Sequence, residues 1–540
     1  MEASLSLTET GRRRATQAFD AGFMLGLIPI VVAFLAMGLL VAREDVYHSD
    51  DAYILYSYAV NFAESGVISY YPGGPPTEGA TDFLFMVVLA ALAWMGAPME
   101  IASVAVSSVA AAISFAAVRL IAAEAMPAPE RRDRLILGIC ISTLLLGTNH
   151  LLAAAMGFGV YVFLAALSLM VLFFLRGNNA GLYPAALATC LARPDGFVFA
   201  APLSLVALWR ERRATRNWLL FAGTLLVPGL AYFAWRLSYF EMLLPLPFYV
   251  KTSATPSLFG LFYPESLEQN LRGLIEVPLL VLATALLFVS ARQLLSFARA
   301  HAVLAVTAVI GFAFYAAIAQ HANAGYRYQA PLYLLALVML LRLPSEHAVR
   351  LRLAIVAALA ALAMAVSVFS TAVASSRYDN VIGLAKALRS LPGGTMLVTE
   401  AGRFPYESRW TAIDSWGLNT PEFARRVITP QHVRELAPDL IVIHSRDDVR
   451  RIALRAFREG TEKEWDTQAR NILLGAGFDY DLYYVPFSFA STQPDQPRQR
   501  YDLFLVRRTS ELAPELRSLI LRFGGVDTED LLRRLRISVG

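Results

Sequence analysis

Cysteine and charge are what this sequence has least of. Its 540 residues include two cysteines, Cys140 and Cys190, and both sit inside apolar runs. Two such residues exclude a disulfide framework and a Cys-based zinc site, and thiols in these surroundings pack as small apolar groups. Charged residues make up 17% of the chain against 56% hydrophobic, with a mean hydropathy of +0.50. Soluble domains carry about 25% charged residues, so the depletion excludes an ordinary soluble protein and points to a polytopic membrane chain. The net charge is +4, but the arginines gather in short loops between apolar runs. That pattern orients helices in a membrane and asks for no nucleic acid. HExxH and similar ligand spacings are missing, so no metal site is expected. Repeated halves of the kind many transporters show are missing too.

What is present is a succession of apolar runs. A membrane-crossing helix needs about 20 mostly apolar residues. Runs near 21–42, 82–97, 100–123, 135–155, 157–175, 182–208, 217–236, 273–291, 301–319, 327–342 and 353–374 predict roughly eleven spans by that length rule. The first run exceeds a signal-peptide core of roughly 7–15 residues and follows Arg12, Arg13 and Arg14, which predicts an uncleaved span with its basic end inside. Basic loops at 210–216, 292–299 and 342–352 agree with that orientation, while PAPERRDR at 127–134 falls on the other side. Arg193-Pro194-Asp195-Gly196 interrupts apolar sequence and predicts short or broken helices between 100 and 210. The count places the 43–81 loop, the 237–272 loop and everything after about 375 outside the cell or inner membrane.

From Arg377 onward the chain has mixed charge and alternating apolar positions. TMLVTE (395–400), DLIVIH (439–444), DLYYVPF (481–487) and YDLFLVRR (501–508) read as strands. QHVREL and the run from Glu511 to Phe523 read as helices. The expected architecture is a polytopic α-helical membrane domain over 1–376 and an extracytoplasmic α/β domain over 377–540.

The stretch from 49 to 84, SDDAYILYSYAVNFAESGVISYYPGGPPTEGATDFL, holds the candidate chemistry. Asp50 and Asp51 open an amphipathic helix after Ser49. They read either as helix caps or as a base or charge stabiliser at the membrane edge, where carboxylates are costly. Adjacent carboxylates push each other's pKa apart, leaving one the better base. Glu78 reads as a ligand for a sugar hydroxyl or as a loop-closing group. Tyr53 and Tyr58 read as sugar-stacking rings or core. Lys251 and Arg327, each beside aromatics, read as phosphate-binding cations or as interfacial anchors. Arg193 reads as a partner of Asp195 more than as a donor contact. His48 beside the two aspartates has no supporting metal-ligand spacing. Asp479-Tyr480-Asp481 mimics a DxD motif by chance, within an expected strand.

Asp50, Asp51, Ala52, Tyr53, Ile54, Tyr58, Ala59, Asn61, Gly66, Pro72, Gly73, Glu78, Gly79, Thr81, Phe83 and Leu84 together resemble the first outer loop of GT-C glycosyltransferases. The likeness is greatest to terminal arabinofuranosyltransferases of the AftB type. Asp82 stands where that family has Asn. Tyr239 to Pro245 with Phe248, Tyr249 and Lys251 is similar to a second family loop, although Glu241 and Leu246 replace its Gly and Asn. Gly325 to Tyr328 with Pro331, Arg193 to Gly196, and Glu400 to Asn419 resemble further family elements. Met156-Gly157-Phe158-Gly159 lacks the carboxylate of the corresponding family turn.

The resemblance implies an enzyme moving a sugar, arabinofuranose first among candidates, from a polyprenyl-phosphate donor to a cell-envelope glycan. The site would lie on the outer face of the inner or plasma membrane, among membrane lipids and without a required cofactor. It implies Asp50 as base or oxocarbenium stabiliser, with Asp51 holding the acceptor or tuning its neighbour. Lys251, Arg327 and Tyr249 would bind the donor phosphate, and Tyr53, Tyr58, Glu78, Asp82 and Arg193 would surround the substrate. The alternative is a transporter or non-catalytic binder of lipid-linked sugars.

Overall fold

The computed structural model describes residues 21–43, 48–125, 131–146, 150–253, 299–317, 327–342, 379–444, 464–488 and 499–528. The described residues are mostly helical up to Leu341, and those of the last third carry a sheet. The helices are α1 (Phe23–Ala42), α2 (Asp50–Ser65), α3 (Phe83–Trp94), α4 (Met99–Ala125), α5 (Arg131–Leu146), α6 (His150–Ala155), α7 (Val160–Leu175), α8 (Asn179–Ala192), α9 (Phe197–Arg210), α10 (Thr215–Phe240), α11 (Leu246–Ser253), α12 (Ala302–Ala317) and α13 (Ala330–Leu341). Among the described residues α1, α4 and α10 are long and apolar enough to cross a membrane. The sequence predicts roughly eleven crossings; α3, α5, α7, α12 and α13 are further apolar helices of 10–17 residues. The run at 82–97 forms only the 12-residue α3, about 18 Å at a rise of 1.5 Å per residue. The run at 135–155 divides into α5 and α6. The runs at 273–291 and 353–374 lie outside the described residues.

The interrupted run at 182–208 has a local cause. Pro194 disfavours helical geometry in the residue before it, and Arg193 takes φ −154°, ψ 140°. A 3-10 turn, Pro194–Gly196, then leads into α9. Gly196 lies against the Thr189 carbonyl, where a Cβ would collide. The break therefore holds Arg193 in extended backbone between two helices.

Helix α2 is buried over most of its circumference, from Ala52 through Ala59 and at Asn61. Gly66 ends it in the left-handed conformation at φ 72°, which glycine adopts without a Cβ penalty. A helix buried on nearly every side must be packed from both directions. Its residues share one apolar core with Phe85 and Leu89 of α3 and with Val398, Phe404, Trp410, Phe504 and Val506 from the last third of the chain.

That last third contains α14 (Asp379–Leu388), α15 (Arg403–Ser408), α16 (Pro430–Leu436), α17 (Glu464–Ala476) and α18 (Ala513–Arg522). Its strands are β1 (Thr395–Val398), β2 (Thr411–Asp414), β3 (Leu440–Ile443), β4 (Tyr480–Ser488), β5 (Gln499–Arg507) and β6 (Val526–Asp527), in the order β2-β1-β3-β5-β4-β6. The strands β2, β1 and β3 are parallel, and β5 then pairs antiparallel with both β3 and β4. The four strands expected from sequence are present, and β2 and β6 add to them. β6 has only two residues; β2, TAID, is as long as β1 and β3 but carries two apolar residues where TMLV has three and LIVI four.

Candidate active site

The two adjacent aspartates of α2 do different things. Successive helix residues point about 100° apart, so one carboxylate turns toward the sheet region and the other toward the helices. Asp50 accepts hydrogen bonds from the backbone N–H of Gly402 at 3.0 Å and of Arg403 at 2.7 Å, one on each carboxylate oxygen. Burial raises its carboxyl above the usual range, with a further push from Asp51, while the two amides and His444 pull it back. A Cβ on Gly402 would run into Asp50. Asp50 thus docks α15 onto α2, and this geometry does not bring it to the cavity. The sequence expects Asp50 as the foremost base; here each of its oxygens accepts one backbone amide, and it is Asp51 that lines the cavity.

Asp51 lines a cavity of about 340 Å³. The cavity is walled by Ile54 and Leu55 of α2, by 79–82, by Gly157, Phe158 and Val160, by Pro247 and Val250 of α11, and by Trp416 and Leu418 from beyond β2. Arg193, Arg327 and Asp82 line it too. Asp82 precedes α3 and accepts a hydrogen bond from the Thr81 hydroxyl at 3.2 Å.

The two arginines differ. Arg193 is closed by Asp195, with Nε–Oδ1 at 3.0 Å and Nη2–Oδ2 at 2.7 Å, and its Nη1 donates to the Arg327 carbonyl at 2.9 Å. Tyr315 also donates to Asp195, at 2.5 Å. Arg327 lies with its guanidinium carbon 3.6 Å from the centre of the Phe158 ring. Its Nη1 is buried and has no hydrogen-bond partner among the described residues. A buried donor without an acceptor costs free energy unless a ligand or water completes it. Phosphate oxygens are the acceptors that a guanidinium fork matches best.

The remaining candidates lie elsewhere. Glu78 is buried, and its carboxylate pairs with Arg236 of α10. Its backbone carbonyl accepts from Leu246 N–H at 3.0 Å. That correction takes Glu78 away from sugar hydroxyls. Tyr53 is buried against Tyr56, Tyr406 and the Arg403 guanidinium, and belongs to the seam between α2 and α15. Tyr58 is buried as well: its hydroxyl donates to Asn419 Oδ1 at 3.0 Å and accepts from Gly79 N–H at 2.9 Å. Neither ring is open to a sugar. Tyr249 stacks under Arg425 at 4.4 Å and borders a separate cavity with Glu241 and Arg426. Lys251 lies on α11, and its side chain is outside the described residues. No group of three or more His, Cys, Asp or Glu among the described residues is placed to hold a metal.

Residues not singled out for chemistry from sequence also line the cavity, notably Phe158 and Trp416. Phe158 was visible only as part of a turn lacking a carboxylate. Trp416 sits two residues after Asp414, inside the stretch that carried the family likeness.

Two histidines near Asp50, His48 buried and His444 partly buried, make stability depend on pH. Burial disfavours the charged form of His444, yet Asp502, whose Oδ1 lies 3.0 Å from Nδ1, and Glu400 outweigh it and raise the pKa to about 9. The unfolded value is about 6.5. His444 therefore contributes stability that is complete below about 6.5 and lost as pH rises through 9, on the order of 3 kcal/mol. His48 is pushed down to about 3 by burial, then by Arg403, so it opposes the fold below about 6.5, where the unfolded chain binds its proton. The melting temperature is expected to fall on both sides of neutrality, and His444→Asn should flatten the alkaline limb alone. Thermal melting of the detergent-solubilised chain between about pH 5 and pH 10 reads both limbs. An unchanged alkaline limb in His444→Asn contradicts the assignment.

A domain of unknown function, DUF8728, matches residues 372–485. Comparison with curated protein sequences gives no match. Among solved structures, the chain is similar to ArnT from Cupriavidus metallidurans bound to undecaprenyl phosphate. The identity is 15%, over 89% of this chain and 98% of that one, with a TM-score of 0.49. The apo state of the same protein gives 15% over 88% and 97%, again at 0.49. The archaeal oligosaccharyltransferase AglB from Archaeoglobus fulgidus, in complex with an inhibitory peptide and a dolichol-phosphate, gives 13% over 92% and 77%, at 0.45.

Proposed function

We propose that the chain is a GT-C-type membrane glycosyltransferase that moves a sugar from a polyprenyl-phosphate donor to a glycan hydroxyl. The observation that carries this reading is that one cavity holds both Asp51 and an arginine, Arg327, with a buried donor lacking a partner among the described residues. An anion stabiliser beside a carboxylate base is what this transfer requires. The acceptor hydroxyl gives its proton to Asp51 as its oxygen bonds to the anomeric carbon. The bond from that carbon to the phosphate oxygen breaks, and the electron pair leaves with the lipid phosphate. Arg327 stabilises the charge gathering there, while Asp195 holds Arg193 beside it. Apolar side chains of α2 and α11 suit the first isoprene units of the donor.

The sequence motifs favour arabinofuranose and a cell-envelope acceptor, with the cavity facing outward. The test supplies purified protein in nanodiscs with labelled polyprenyl-phosphate arabinofuranose and a short oligosaccharide, and then other lipid-linked sugars. Product is read by mass spectrometry, which detects a new glycosidic bond. Arg327→Gln is expected to lower turnover by about 10²-fold or more, and Arg327→Lys to retain part of it, since an ammonium keeps the charge but loses the fork. Donor that binds but is never transferred, across all sugars, refutes the proposal and supports a transporter or binding protein.

A further inference from the structure

The cavity's charge is unevenly distributed. Its cations, Arg193 and Arg327, and its carboxylates, Asp51 and Asp82, all come from the helical part of the chain. Among the described residues, the sheet region contributes two lining residues, Trp416 and Leu418, and both are uncharged.

The turn that carries Trp416 is held by a relay of hydrogen bonds. Its backbone N–H donates to Asp414 Oδ1 at 2.9 Å. Asn419 donates to Asp414 Oδ2 through its backbone N–H and through Nδ2, both at 3.0 Å. Asn419 Oδ1 accepts from the Tyr58 hydroxyl, which accepts in turn from Gly79 N–H. Gly417, between Trp416 and Leu418, has φ 78°, and a Cβ there would meet the backbone of Phe423 and Ala424. The turn is therefore packed as well as bonded. The turn that carries Trp416 cannot move away without breaking the seam with α2 and the 79–82 wall of the same cavity.

We infer that Trp416 is the platform on which the acceptor sugar rests, and that the sheet region serves the reaction by supplying this uncharged wall. The inference rests on the transfer reading above and deepens it. A phosphate has no reason to sit on an uncharged indole when two guanidiniums line the same cavity. A neutral sugar has a C–H face that suits an aromatic ring, and hydroxyls on its edge for the polar rim. The donor phosphate therefore faces Arg327, and the acceptor enters beneath the sheet region with its hydroxyl toward Asp51. A rigid platform adds selectivity because little ordering remains to be done on binding.

The test uses the full chain in nanodiscs, undecaprenyl phosphate as the probe of the anionic end, and a short arabinofuranosyl oligosaccharide as the neutral probe. Trp416→Ala is expected to raise the acceptor KM by about tenfold or more, corresponding to a lost contact of about 1.4 kcal/mol. It should leave kcat at saturating acceptor and undecaprenyl-phosphate affinity within about twofold. Trp416→Phe, which keeps a ring and the fold, should recover most of the acceptor KM. A structural role alone would lower kcat and lipid affinity together and would not separate the two probes. If the wild type transfers sugar and Trp416→Ala has its acceptor KM, the platform is refuted and the transfer reading survives. The platform is refuted likewise if Trp416→Ala loses lipid affinity in step with acceptor affinity. A wild type that binds neither probe and transfers nothing overturns both.

Discussion

Asp51→Asn is expected to lower transfer by about 10²–10⁴-fold, the range for loss of a general base, while binding of lipid phosphate stays near the wild-type level. Asp50→Asn should behave in the opposite way. The neighbouring residue is spent on docking, and Asn offers one acceptor oxygen where Gly402 and Arg403 present two amides. Leaving one buried amide unpaired costs about 1–3 kcal/mol. That cost should appear as a lower melting temperature and faster proteolysis beyond residue 377, with turnover per folded molecule reduced only modestly. The two variants add no volume and remove the same charge one residue apart, so any difference reads orientation alone. Turnover lost in Asp50→Asn and kept in Asp51→Asn would reverse the assignment.

The pair illustrates what was legible in the sequence and what was not. The 49–84 stretch stands out by its composition, and its opening acids are readable as candidates, of which Asp51 lines the cavity. Their division of labour was not, because it depends on a contact 352 residues away in the chain. The strand patterns in the last third were readable because β1, β3, β4 and β5 alternate or run apolar over a sufficient length. Their role was hidden: the core of this region continues into α2, so the sheet carries part of the cavity wall. Length and hydropathy alone do not show where an apolar run breaks. Apolar runs such as 182–208 contain a Pro-induced break, and a run such as 82–97 yields a helix of 12 residues. Tyr53 and Tyr58 share a helix with the acids, which suggested a sugar site. Only their tertiary partners, Arg403 and Tyr406 for one and Asn419 and Gly79 for the other, assign them to the seam.

Arg236→Met is expected to be the most damaging single change to stability, at roughly 3–5 kcal/mol, because it leaves a buried carboxylate without its counter-ion. The Arg236 and Glu78 side chains are 2% and 4% exposed. Arg236 also donates to the Leu243 carbonyl and the Tyr232 hydroxyl, each at 3.2 Å. Burial pushes the Glu78 carboxyl up to about 7 even though Arg236 draws it down. Without the arginine it must rise further. A carboxyl raised above its unfolded value opposes folding while it is charged, so the deficit of Arg236→Met should shrink as pH falls from about 8 to about 6. Glu78→Gln in the same background removes the charge, and the double variant should recover much of the loss, with a coupling of about 0.5–3 kcal/mol. Melting temperatures of the wild type, both single variants and the double variant at two pH values close the cycle. Simple additivity at both pH values would show that the ion pair is not what joins α10 to the loop. Activity should follow stability here. The Glu78 carbonyl fixes Leu246 N–H, and that residue starts the helix whose Pro247 and Val250 wall the cavity. Glu78 thus positions α11 through its carbonyl, while its carboxylate is taken up by Arg236. Its charge lies in a pair that closes the fold, while the carboxylates facing the cavity are those of Asp51 and Asp82.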